Sequence, residues 1–351
     1  MCTLIVLHRC VPGRSLVVAA NRDEFLSRPA EGLAIRETRS GRILAPLDLE
    51  AGGTWLGLNE RGVFVGLTNL RPETPPGSGR DRHGDGETAR AANAAWAESQ
   101  SVRRSRGEVV MAALESSSAS QASRVLSELD EGAYNPFQLL VADELDAWLT
   151  VYRDRPAIEP LGAGVHVVGN VLMGEGSGPC DAEGATAGRA ARDATEEPRV
   201  SKLTRVRQRV EKMITESSED LFEGLARICR EHVGDPGSVA RAGEPGEDWE
   251  PFAEEKKEES IAGDTSAGGL EAFQDLAASA LESTCVHIGA RYGTRSSLLL
   301  ELAQDRDLSR LWTTDGPPCQ QPYEDLSPLL GKLDLRSASG AEAQHEARTN
   351  R

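Results

Sequence analysis

The chain has 351 residues, is 39% hydrophobic and carries a formal net charge of −17, so it holds enough apolar material for a substantial core. So acidic a surface repels phosphate backbones and argues against a nucleic-acid partner. No apolar run approaches the roughly 20 residues of a membrane span, and the first residues lack the basic region of a secretion signal, so a cytoplasmic protein with no integral membrane segment is expected.

Cys2 stands directly behind Met1 and opens a β-rich stretch, M-C-T-L-I-V-L-H. Removal of Met1 ahead of so small a side chain would leave a thiol and a free α-amine on one residue. That pair is a nucleophile with its own base. An α-amine has a pKa of about 7.7–8.0, and a terminal amine is a known general base for an adjacent nucleophile. Thr3–His8 and Ser15–Ala20 are apolar runs rich in branched residues. With Pro12-Gly13 between them they predict a hairpin. Gly53–Leu58 and Val63–Leu70, joined by Asn59-Glu60-Arg61-Gly62, predict a second. Pro72–Gly86 reads as a loop, with helices from Glu87 to about Leu129. Phe137–Ala142 and Ala147–Tyr152 form another strand pair, and Val165–Val168 is a short strand ending at Gly169-Asn170. Val200–Thr215 and Leu221–Glu231 read as helices. Cys285–Ala290, Ser296–Glu301 and Ser309–Thr314 are closing strands. The reading is one domain over residues 1–335, with an acidic loop insertion at about 243–269 and a disordered tail at 336–351.

Hairpin connections imply largely antiparallel sheets. Runs such as Val63–Leu67, apolar at nearly every position, look buried on both faces. An α+β fold follows, with two sheets packed on each other and helices outside. The six cysteines contain no C-x-x-C pair and the six histidines no ligand spacing, so no structural metal is expected and the thiols read as reduced.

The sequence N-R-D-E follows the second predicted strand at Asn21. It reads either as a capped turn with a surface ion pair or as part of a site. In the second case the returning hairpin strand brings Arg22 and Asp23 near Cys2. A cation there would favour the thiolate, and a carboxylate could hold the α-amine. Thr68-Asn69 and Asn170 end two other strands. They are either turn residues or donors to a developing oxyanion. Arg295, in Y-G-T-R-S-S, is either a surface arginine or a site residue.

These segments, with G-G-T-W-L-G at Gly52, L-T-N at Leu67 and Y-N-P-F at Tyr134, together resemble the NRDE family, that of the transport and Golgi organisation protein 2 homologues. The match runs in order to about residue 325. It implies the N-terminal-nucleophile hydrolase fold, a four-layer αββα sandwich. A more distant similarity, at G-L-N-E-R-G-V-F-V-G-L-T-N, is to the choloylglycine hydrolases. It implies that Cys2 is the nucleophile and that Arg22 and Asp23 correspond to an Arg-x-x-Asp pair. It further implies that Thr68 or Asn69, together with Asn170, serves the oxyanion, and that Arg295 is the late arginine of the site. Arg22 and Asp23 are adjacent rather than three apart, and Thr68 stands where asparagine is expected.

Two functions follow as expectations. One is an N-terminal-cysteine amidohydrolase acting on a non-peptide amide or acyl substrate, without a cofactor. The other, implied by the family's association with haem movement and lipid or acyl-CoA homeostasis, is a non-catalytic carrier using the same pocket. Haem would then be a carried ligand, with Cys2, His8 or His166 as axial-ligand candidates; no C-x-x-C-H attachment motif is present.

Overall fold

The structure, a computed structural model, describes residues 2–70, 103–172, 201–233 and 280–335. The first hairpin forms as expected but its strands run longer: β1 is Thr3–Val11 and β2 is Arg14–Phe25, turning at Pro12-Gly13. Three further strands join them: β10 (Gly164–Val168), β12 (Tyr292–Ala303) and β13 (Arg310–Asp315). The two-residue strands β11 (His287–Ile288) and β14 (Glu324–Asp325) complete a seven-stranded sheet, ordered β10-β1-β2-β12-β13-β14, with β11 on β12. The second sheet is a seven-stranded meander in chain order. Its strands are β3 (Ala30–Thr38), β4 (Gly41–Asp48), β5 (Leu56–Asn59), β6 (Phe64–Asn69), β7 (Phe137–Ala142), β8 (Ala147–Tyr152) and β9 (Pro156–Leu161). All strand pairing within both sheets is antiparallel.

Side chains alternate across a strand, and here both faces are apolar. Leu4, Val6, Val18 and Leu300 of the first sheet meet Leu44, Leu58, Phe64 and Leu140 of the second. The intervening residues Ile5, Leu7, Val17 and Ala19 face the other way. They pack on helices α3 (Lys202–Glu216) and α4 (Leu221–Cys229) through Val206, Val210, Phe222 and Leu225. On the far side of the second sheet, Ile43, Val63, Val65 and Leu139 pack on α1 (Arg106–Leu114) and α2 (Ala119–Ser127). The layers are therefore helix, sheet, sheet, helix, the four-layer αββα arrangement that the resemblance implies. A short helix α5 (Pro328–Leu333) closes one end of the inter-sheet core with Leu330 and Leu333.

Two expectations are corrected. N-R-D-E does not follow the second strand but lies inside it, because β12 pairs with it residue by residue: Asn21 with Ser297, Arg22 with Ser296 and Asp23 with Thr294. Residues 30–48, given no strand of their own above, form the β3–β4 hairpin. The expected loop Pro72–Gly86, the helix beginning at Glu87, the acidic insertion and the tail lie outside the described residues. Among the described residues no helix is long and apolar enough to cross a membrane.

Candidate active site

Cys2 precedes β1 and shares the parity of Leu4 and Val6, which face the second sheet. It lines a cavity of about 240 Å³ between the sheets, with Arg22, Trp55, Thr68 and Arg295 also on the wall. Leucines from both sheets, among them Leu4, Leu33, Leu56 and Leu298, supply the apolar lining. β1 pairs Thr3 with Asn21 and Leu4 with Val168. Continuing both registers by one or two residues sets Cys2 between Arg22 and Asn170.

Arg22 is buried, with its guanidinium 3.9 Å from the centre of the Trp55 ring and 3.9 Å from both Glu24 Oε2 and Asp48 Oδ2. Burial pulls it below its ordinary pKa, while Glu24, Cys2 and Asp48 oppose that fall. A desolvated cation over an aromatic face gains about 2 kcal/mol from the ring, which offsets part of the burial cost. Asp23 is buried and accepts from the Thr294 hydroxyl at 2.6 Å. Burial pushes its carboxyl above the usual range. Asn21 points to the helix side and donates to the carbonyls of Cys229 and Thr284 at 2.9 and 2.8 Å. Its side chain therefore braces the strand, while the residue also contributes to the cavity lining.

The thiol differs from the sequence expectation. Burial pushes Cys2 above its ordinary pKa and the Asp23 carboxylate adds to this, whereas the ammonium of the chain start and the Asp23 main chain pull it down. A thiol raised in this way is served by a base at hand. Burial also raises Cys10, and it pushes Cys229 to about 11.

The strand-end asparagines and Thr68 form a clasp between the sheets. The Gly169 carbonyl accepts from Thr68 Oγ1 at 2.8 Å and from Gln138 Nε2 at 2.7 Å, and Asn170 Nδ2 donates to the Asn69 carbonyl at 2.6 Å. A Cβ at Gly169 would lie 2.7 Å from Leu203 Cδ2, so a larger residue there would have to displace the Leu203 side chain. A hydroxyl carries one proton, and that of Thr68 is committed to Gly169, which leaves it none for an oxyanion. Asn170 keeps a second N–H. Arg295 sits at the irregularity where β12 shifts register against β2, and its guanidinium donates to the Leu26 carbonyl. Neither His8 nor His166 lines the cavity; His8 bonds the Asp143 carbonyl at 3.2 Å and His166 that of Gly162 at 2.8 Å.

A family model described as Transport and Golgi organisation 2 matches residues 1–311. The chain belongs to that family. It is 47% identical over 76 residues to the Mus musculus Transport and Golgi organization 2 homolog, covering 20% of this chain and 26% of the mouse protein. It is 50% identical over 62 residues to the Homo sapiens homolog, covering 16% and 22%. The matched stretches thus span about a quarter of these curated relatives or less. Among solved structures, a variant of conjugated bile acid hydrolase from Clostridium perfringens is similar at 12% identity with a TM-score of 0.47, covering 95% of this chain and 94% of that one. The Caenorhabditis elegans N-acylethanolamine-hydrolyzing acid amidase ortholog is similar at 13% identity with a TM-score of 0.37, covering 49% and 70%.

One group of this family member escaped the sequence reading. Lys202, the first residue of α3, is buried, and burial pulls its ammonium below its ordinary pKa while Asp23, Glu282 and Cys2 pull it up. A cation in the first turn of a helix opposes the helix dipole. A lysine directly after the capping Ser201 was therefore the one available signal, and it is a weak one.

Proposed function

We propose that the protein is an N-terminal-cysteine amidohydrolase acting on a non-peptide amide or acyl substrate. The observation that carries the reading is the place of Cys2. Among the described residues it is the one thiol or imidazole on the cavity wall, which it shares with Arg22, and it interacts with Asp23 behind that wall. With Met1 removed, the α-amine of Cys2 takes the thiol proton, which a thiol raised by burial requires. Sulfur bonds to the substrate carbonyl carbon and the carbonyl π pair moves to oxygen, toward the remaining N–H of Asn170. Collapse breaks the C–N bond, and the ammonium hands its proton to the departing amine. Water then attacks the thioester while the amine takes its proton. The acid leaves and the thiol is restored. The leucines suit an acyl chain, and Arg22 and Arg295 suit an anionic group on the substrate.

The same mixture of leucines and arginines favours a second reading, carriage of an amphipathic acyl ligand or haem without turnover. For haem, Cys2 is the single sulfur or imidazole donor on the described wall. Intact mass and a panel of N-acyl amino acids, acyl-CoAs and small lactams separate the two readings. The hydrolase reading expects loss of Met1, hydrolysis abolished by Cys2→Ser with ligand affinity kept, and a fall of roughly 10²–10³ in kcat for Asn170→Ala. Saturable haem binding with no Cys2-dependent hydrolysis overturns it.

A further inference from the structure

We propose that His232, Cys285, His287 and Cys319 form a four-coordinate zinc site. Their ligand atoms all lie within 4.8 Å of one another. The two sulfurs are 3.6 Å apart, and His287 Nε2 lies 3.6 Å from Cys285 Sγ and 3.1 Å from Cys319 Sγ. Zinc bonds of about 2.3 Å to sulfur and about 2.0–2.1 Å to nitrogen, set tetrahedrally, give edges of about 3.8 Å between sulfurs and about 3.6 Å between sulfur and nitrogen. Cys285, Cys319 and His287 therefore already stand near three of the corners that zinc needs, with the His232 ligand atom within 4.8 Å of each. The His232 and His287 rings are 5.2 Å apart between centres.

The ligands come from three segments that hydrogen bonds to main-chain carbonyls lock together. His232 follows the end of α4. Cys285 and His287 alternate along the extended chain entering β11, which puts both side chains on one side. Cys319 lies in the turn after β13. The Cys285 N–H donates to the Glu231 carbonyl at 3.0 Å, and Arg230 Nε donates to the Pro318 carbonyl at 3.0 Å. Each of these bonds is made at a ligand or within two residues of one, so the cluster is built by the fold. Two thiolates and two imidazoles select zinc over oxygen-seeking cations, and four protein ligands leave no open position, which makes the site structural. Binding releases the two thiol protons to solvent.

The ion would stiffen the N-R-D-E strand. Cys285 lies between Thr284, whose carbonyl accepts from Asn21, and Val286, whose N–H donates to the Thr294 hydroxyl that holds Asp23. This inference stands whether or not Cys2 is catalytic.

The test uses the full chain purified under reducing conditions with zinc, with free metal removed and zinc counted by elemental mass spectrometry. One zinc per chain is expected. Cobalt(II) added to the stripped protein should give thiolate charge-transfer bands and the visible bands of a tetrahedral ion. Cys319→Ser, at an exposed turn, should weaken zinc binding at least about 100-fold, since loss of even an outer partner of a metal ligand costs 10–100-fold. Cys10→Ser should leave binding unchanged. Substoichiometric zinc, zinc content indifferent to Cys319→Ser, or a Cys285–Cys319 disulfide in the reduced preparation overturns the proposal. Should Cys319→Ser not fold, the cobalt spectrum of the unaltered chain decides, and absence of charge-transfer bands overturns it.

Discussion

Thr294 donates its hydroxyl proton to Asp23 at 2.6 Å, and the same oxygen accepts the Val286 N–H at 2.8 Å. One fully buried side chain thereby joins Asp23 of N-R-D-E to the segment that carries Cys285. The glycine of Y-G-T-R makes room for it, since a Cβ at Gly293 would lie 2.7 Å from the Val286 carbonyl oxygen.

Thr294→Val keeps the shape but can neither donate nor accept. It removes the Thr294 bond from the Asp23 carboxyl and takes the side-chain acceptor from the Val286 N–H, and the expected cost is about 1–3 kcal/mol. The midpoint of urea unfolding at unchanged slope measures it. Thr294→Ser should recover most of the loss, and a valine variant as stable as the parent would show that the link carries no energy.

Cys2 raises the proton affinity of the Arg22 cation, and by the same Coulomb attraction a guanidinium there should favour the Cys2 thiolate. Arg22→Gln should push the thiol further up and move the pH profile of Cys2 alkylation by iodoacetamide upward by about 1 pH unit. Peptide mass spectrometry reads the Cys2 site alone. An unshifted profile would mean that the guanidinium field is spent on Glu24 and Asp48.

Asp23 and Lys202 are buried charges of opposite sign, and each counters the shift that burial imposes on the other. Asp23 has a native pKa above its unfolded value of about 3.9. Its contribution to stability is complete below that value and is lost as pH rises through the native titration. Lys202 offsets the loss. A double-mutant cycle with Asp23→Asn and Lys202→Met should give no coupling near pH 4 and a coupling that grows as pH rises through the Asp23 titration. A coupling independent of pH would assign the effect to packing.

His8 shows the opposite sign. Burial holds its imidazole below the ordinary value, with Nε2 3.2 Å from the Asp143 carbonyl and Nδ1 buried without a partner among the described residues. Its contribution to stability is present above the unfolded pKa of about 6.5 and is lost as pH falls through the lower native one. The difference in stability between the parent and His8→Gln should therefore shrink as pH drops below about 6.5. Denaturant titrations across that range measure it, and a constant difference would remove His8 from the acid response.

The strands that sequence reveals best are those buried on both faces. Phe137–Ala142 and Ala147–Tyr152 form with the expected bounds, because an apolar run between turn residues has few alternatives. The strand Ala30–Thr38 has no fully buried residue, and Pro156–Leu161 is an edge strand carrying two prolines, so neither has the pattern that marks a core strand. N-R-D-E reads locally as a turn, since four polar residues in an interior strand are affordable only when distant partners satisfy them. For Asn21 and Asp23 those partners are Cys229, Thr284 and Thr294, more than 200 residues away, and for Arg22 they include Asp48 and Trp55. The same distance hides Lys202 and the His232–Cys319 cluster, whose members share a neighbourhood but no spacing.

The two sheets differ in how far along the chain each must reach. The meander β3–β9 joins sequence neighbours throughout, so it can close from residues 30–161 without help from the rest. The other sheet holds both β1–β2 and β12, which begins only at Tyr292. During synthesis from the N-terminus, the hairpin carrying Cys2 and Asn21–Glu24 is made first and completed last. Until β12 emerges, the β2 edge shows unpaired amides and carbonyls, the kind of edge that recruits stray strands. A ribosome stalled before that strand would therefore display a finished meander and an open-sided hairpin, and the cavity beside Cys2 would have no third wall.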